Sequence, residues 1–165
     1  MVKKKSPAGC KTMERKKPFQ VAVIGGSNPE PDLVILAIEV GRVIARLGGI
    51  VICGGLGGVM EAVARGAKLE KGLTIGILPG YDAKAGNPFI DIAIPTGMGH
   101  ARNVLVASAG DAIVALPGSH GTRSEISLAL ALEKPVFGMQ AWAEIPGVRS
   151  VANLAELKRI LLPFV

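Results

Sequence analysis

The sequence predicts a single α/β domain of Rossmann-like architecture, with a mostly parallel sheet and helices on both faces. Three observations predict it. The chain has 165 residues, enough for one domain with a real core and too few for two. Short apolar runs of four to six residues alternate with segments whose apolar residues recur at helical spacing. Glycine-rich turns follow several of those runs, where a strand must give way to a helix. Strands joined through helices need crossover connections, which leave neighbouring strands parallel and covered on both sides.

Residues 19–24 are the first strand, an apolar run stopped by Gly25-Gly26-Ser27. Over 31–47, Leu33, Leu36, Ala37, Val40, Ile44 and Leu47 keep helical spacing, and Gly48-Gly49 end the pattern as a C-cap does. Residues 50–53 are the second strand; Gly54-Gly55-Leu56-Gly57-Gly58 then leads into a helix over about 59–70. Strands over 73–78 and 89–94 flank a Gly-, Pro- and Asn-containing loop, 79–88, with the composition of a lid. A helix over about 99–109, a strand over 111–116, a turn over 117–121, a helix over 122–132 and a sixth strand over 135–139 follow. The last helix is expected over 153–162, with Asn153 as its N-cap.

Composition narrows the function. Hydrophobic residues make up 49% and mean hydropathy is +0.43, yet charges or glycines interrupt every apolar run before the length of about 18 residues needed to span a bilayer. No membrane partner is expected. The apolar surplus instead predicts a homo-oligomer, dimer or tetramer, joined through helical faces bearing Ile126, Leu128, Leu130 and Leu132. The net charge of +6 sits in residues 1–17, where seven lysines and arginines oppose only Glu14; the remainder has 12 basic and 12 acidic residues. That segment is read as a basic, disordered tail on a domain covering 18–165. Its lysines lack interleaved aromatics, so no nucleic-acid partner is expected. The start has no apolar signal region, which makes cytoplasm the expected location. Cys10 and Cys53 make neither a disulfide framework nor a metal site, and Cys53 reads as a small core residue.

All strands of a parallel sheet end on the same edge, so the turns containing Gly25 and Gly26, Gly54 to Gly58, and Gly118 to Gly121 can converge on one rim. Turns without β-carbons let backbone N–H groups approach an anion, and each feeds a helix N-terminus that carries partial positive charge. A phosphate-bearing small molecule is the predicted ligand. Its expected contacts are Gly25, Gly26 and Ser27; Gly54, Gly55, Gly57 and Gly58; Arg102 and Asn103; and Gly118, Ser119, His120, Gly121, Thr122 and Glu125. Arg102 falls in the first turn of its helix, where a cation opposes the dipole unless an anion accompanies it. Thr122-Arg123-Ser124-Glu125 has the form of a capping box, in which Glu125 would bond back to the Thr122 N–H. A carboxylate at the mouth of the pocket would equally serve a ligand hydroxyl or a water.

These residues resemble a known family. Pro117-Gly118-Ser119-His120-Gly121-Thr122-Arg123-Ser124-Glu125 is similar to the PGGxGTxxE signature of the lysine-decarboxylase-like, or LONELY GUY, proteins. Gly54-Gly55-Leu56-Gly57-Gly58-Val59-Met60 resembles their GGGxxGLM segment, and Gly99-His100-Ala101-Arg102-Asn103 their arginine patch. The resemblance covers about 19–139. It implies either of two activities. Family enzymes cleave the N-glycosidic bond of cytokinin nucleoside 5′-monophosphates, and by resemblance Arg102 and Glu125 would be the catalytic residues. Ser119, His120 and Arg123-Ser124 depart from that pattern, and the Gly-Asn-Pro loop with the Thr-Gly-Met-Gly-His-Ala-Arg-Asn run is closer to a sister branch of molybdenum cofactor carriers. A carrier would hold molybdopterin by its phosphate and pass it to an acceptor molybdoenzyme. It needs no thiolate, because the cofactor brings its own sulfurs. Of the expected rim residues only Tyr81, Phe89 and His120 can stack on a base, which favours the carrier. A dinucleotide dehydrogenase fits less well: no G-x-G-x-x-G follows the first strand, and Cys53 stands where an acidic residue would end the second.

Overall fold

The structure, a computed structural model, describes residues 18–165; the basic tail expected over 1–17 lies outside the described residues. A seven-stranded sheet is built from β1 (Gln20–Ile24), β2 (Ile50–Cys53), β3 (Thr74–Leu78), β4 (Ile92–Pro95), β5 (Ala112–Ala115), β6 (Val136–Met139) and β7 (Val148–Val151). Its order is β4-β3-β2-β1-β5-β6-β7, and every pairing is parallel. Five helices connect it: α1 (Pro31–Arg46), α2 (Val59–Leu69), α3 (Asn103–Ala109), α4 (His120–Ala131) and α5 (Leu154–Leu161).

Strand alternation divides the core into two layers. Val21, Val23, Val51, Cys53 and Val114 pack with residues of α1, α2 and α5, including Val40, Val63 and Leu157. Ala22, Ile24, Ile52, Ile113 and Ala115 pack with Val106 of α3 and Ile126 of α4. Central strands covered on both faces need apolar residues along their length, which is why β1 after Gln20 and all of β5 read as unbroken runs. No described helix is long and apolar enough to cross a membrane.

Four expectations are corrected. The helix expected over 99–109 is a 3₁₀ turn, Gly99–Arg102, followed by α3. The fourth strand begins at Ile92 rather than 89, because Asp91 turns back to bond the Thr74 N–H at 3.0 Å and Lys68 Nζ at 2.7 Å. β7 went unpredicted: it is a four-residue edge strand with two exposed polar residues, Arg149 and Ser150. Ile126 is fully buried against the sheet and so is not available to an oligomer interface.

Candidate ligand-binding site

The first strands proceed from β1 outward through β2 and β3 to β4; the chain then crosses back to place β5 on the other side of β1. Connections on either side of β1 and β5 therefore diverge, leaving a crevice at their carboxyl ends, the place where open α/β sheets receive ligands. The three glycine turns meet there. The Gly26 N–H donates to the Pro117 carbonyl at 3.0 Å, and the Gly26 carbonyl accepts from the Val59 N–H at 3.0 Å. One residue thus joins the turns after β1, β2 and β5.

The glycines differ in what keeps them small. A β-carbon on Gly118 would press on the Gly26 nitrogen at 2.8 Å, and one on Gly25 would meet the Val59 side chain at 2.7 Å. Gly58 has φ +70°, and a β-carbon there would press on the Gly26 carbonyl oxygen at 2.6 Å. Gly54 lies beneath the Arg102 guanidinium and Met60 Sδ, and Gly55 against Gly76. Packing accounts for all of these. Gly57 and Gly121 differ: the nearest atom to a β-carbon on Gly57 is 3.9 Å away, and none lies within 4 Å at Gly121. Both stand where helices begin.

Among the described residues no side chain caps those helix starts, although the Gly26 carbonyl holds the first N–H of α2. α2 begins after Gly58 and α4 after Ser119, and neither N-cap makes a side-chain bond; at α5, by contrast, Asn153 Oδ1 accepts the Glu156 N–H at 2.9 Å as expected. The predicted capping box does not form. α4 starts at His120, so Thr122 lies within its first turn, and Glu125, a turn further in, is buried facing Arg102. The α4 N-terminus keeps its unpaired N–H groups and partial positive charge for a ligand.

Arg102 closes its 3₁₀ turn, is only 7% exposed, and reaches under the rim. Its Nη2 donates to the Gly54 carbonyl at 3.3 Å, its Nη1 lies 3.6 Å from Glu125 Oε1, and its Nε is buried without a partner among the described residues. The group facing this cation is thus the Glu125 carboxyl. Burial pushes the Glu125 carboxyl up to about 7, with Arg102 acting in the opposite direction. Burial likewise pushes the Cys53 thiol up to about 11, so it is a neutral core group, with the Gly55 N–H 3.4 Å from its Sγ. Among the described residues no group of three His, Cys, Asp or Glu could hold a metal.

Three cavities open around this centre. One of about 370 Å³ lies in the crevice between Gly26, Ser27, Asn28 and Pro117, Gly118, Ser119. A second, of about 570 Å³, lies behind the 27–30 loop against Val34, Ile38, Gly58, Glu61 and Arg65. The third, about 160 Å³, is bounded by Leu56, Pro79, His100, Arg102 and Asn103. Arg102 and Asn103 therefore face a different cavity from the glycines of β1 and β5. His120 is exposed at the start of α4 and Thr122 is buried beneath it. The 79–88 loop is less free than its composition implies: Asn87 Nδ2 donates to the Leu56 carbonyl at 2.9 Å, and the Asn87 N–H to Gly55. Sequence reading missed Asn28 and Asn87; an asparagine before a proline in a glycine-rich stretch was the available signal.

Fold and site define a class of Rossmann-like domains with a glycine-lined crevice at the carboxyl edge of the sheet, and comparison identifies the family. Residues 18–159 match the SLOG cluster4 family, to which this chain belongs. The structure is similar to the molybdenum cofactor binding protein of the phototrophic bacterium Rippkaea orientalis (TM-score 0.84, 32% identity, 88% of this chain and 96% of that one). It is also similar to the molybdenum cofactor carrier protein of Chlamydomonas reinhardtii (TM-score 0.82, 29% identity, 90% and 98%). A cytokinin riboside 5′-monophosphate phosphoribohydrolase of Mycobacterium tuberculosis is 31% identical over 147 residues, 82% of this chain and 78% of that protein.

Proposed function

We propose that this protein binds and protects the molybdenum cofactor and hands it to molybdoenzymes. The observation that carries the reading is the rim. Three glycine turns are joined at the switch point, and two of their glycines open onto helix N-termini that no side chain caps. The likeness to cofactor binding and carrier proteins, over nearly their whole length, supports it.

The residues present fit the cofactor. The first N–H groups of α4, at His120 and Gly121, would take its terminal phosphate. Ser27, Asn28 and Glu30 offer hydrogen-bond partners for a pterin edge in a crevice of about 370 Å³. When bound, the cofactor supplies the metal and its sulfur ligands, so the neutral Cys53 is not required. Arg102, held under Gly54, adds positive potential behind the rim.

A second reading, N-glycosidic hydrolysis, is favoured by one observation: a carboxyl titrating at about 7 opposite a buried arginine suits proton transfer near neutrality. The crevice gives a purine little to rest on. Among the described residues no aromatic lines it, and Tyr81 is 88% exposed over Gly97.

Two assays on one preparation separate the readings. Protein loaded with molybdenum cofactor is expected to reconstitute a cofactor-free molybdoenzyme, and to release no free base from adenosine or isopentenyladenosine 5′-monophosphate. Base release at about 1 s⁻¹, an ordinary enzymatic rate, abolished by Glu125→Gln would replace the carrier with the hydrolase.

A further inference from the structure

The 140–147 loop, which follows β6 at the same carboxyl edge, has no part in the reading above. Gln140 (φ +61°) and Trp142 (φ +74°) both place β-carbons in the left-handed region that side chains disfavour, so the surrounding structure must hold them there. Trp142 is buried, and its indole Nε1 donates to the Leu116 carbonyl at 2.9 Å. Leu116 immediately precedes the Pro117-Gly118-Ser119 turn, whose Pro117 carbonyl holds the Gly26 N–H. The Arg123 guanidinium lies 5.2 Å from the indole ring centre and 3.4 Å from Glu144 Oε1. Arg123 is the fourth residue of α4, a cation beside the positive end of the helix dipole, and the ring and Glu144 offset that conflict.

We propose that the 140–147 loop is a clamp on the ligand turn, with Trp142 as the positioning residue that fixes the carboxyl end of β5 and Arg123 as an exposed latch that senses an anion at the α4 N-terminus. An oxyanion there competes with the indole face and Glu144 for the guanidinium: a charge-assisted bond to phosphate is stronger than a cation–π contact, and the Glu144 pair, 3.4 Å long between side chains 55% and 61% exposed, is a weak surface bridge. The inference rests on the α4 N-terminus being the phosphate site.

Trp142 is the single tryptophan, so intrinsic fluorescence reports on the clamp directly. Titration with inorganic phosphate at constant ionic strength is expected to change the emission saturably in the wild type and not in Arg123→Gln. Trp142→Phe keeps a ring but loses the N–H donor. It is expected to weaken retention of loaded molybdenum cofactor by about 5- to 10-fold, the loss of one buried hydrogen bond. Wild type that neither responds to phosphate nor retains cofactor would overturn the phosphate reading and the clamp together. Cofactor retained equally by wild type and both variants would overturn the clamp alone. Should Trp142→Phe not fold, the surface variant Arg123→Gln decides, and an unaltered phosphate response in it refutes the latch.

Discussion

At position 125 the local sequence and the tertiary structure pull in different directions. Thr-x-x-Glu is a sound signal for a helix start, but Ser119 sits where the β5 turn ends, so α4 begins before Thr122 and Glu125 is drawn inward to Arg102. Its titration gives a stability prediction. A carboxyl raised from 4.5 to about 7 keeps its proton in the folded state over a range where the unfolded chain has lost it. Its contribution is therefore complete below about pH 4.5 and declines as pH rises to 7. The loss is on the order of 3 kcal/mol. Urea unfolding at pH 5, 6, 7 and 8 should show wild-type stability falling along this window relative to Glu125→Gln, whose amide does not titrate. Parallel pH profiles would mean that Glu125 is ionised throughout. Neither the burial of Arg102 nor the division of the glycines into packed and open ones was legible locally, since both depend on what three separated turns place around them.

Element existence was far more legible than element detail. β1, β2, β5 and β6 and all the major helices follow from apolar run length and glycine punctuation, because a parallel central strand needs side chains that tolerate burial on both faces. β7 escaped because an edge strand half exposed to water carries no such signature. The α1–α2 contact escaped as well. Gly41 of α1 lies against the Val63 carbonyl, and Gly66 of α2 against the Ile38 carbonyl, so the two backbones meet where the sequence shows only two mid-helix glycines. Gly66→Ala would place a methyl group on that carbonyl, and overpacking of this kind costs about 1–3 kcal/mol despite alanine's better helix propensity. Thermal unfolding should show the loss. A stabilised Gly66→Ala would show that the helices can separate freely.

For the whole molecule, the edge at β4 offers the expected self-association a second surface besides the α4 face, where Leu132 is 44% exposed. Among the exposed large apolar residues, Tyr81, Ile92, Ile94 and Met98 gather on and beside β4, an edge strand with Ile92 46% and Ile94 44% exposed. An apolar, unpaired edge invites a partner strand or face, and charge on it is the usual deterrent. Light scattering is expected to give a particle larger than the 17.0 kDa chain, reduced to that mass by Ile92→Lys with Ile94→Lys. A wild-type monomer at micromolar concentration would remove the prediction.

The central claim is that a phosphate-bearing cofactor sits against the uncapped start of α4, and the ligand that purified protein carries tests it most directly. Protein from cells that make molybdenum cofactor should, on acid release and mass spectrometry, yield a pterin bearing a phosphate. Gly121→Val, whose β-carbon meets no atom within 4 Å at the second residue of α4, should fold normally and carry at least tenfold less. Equal amounts of the phosphorylated pterin from folded wild type and Gly121→Val, or none from either, would contradict the account.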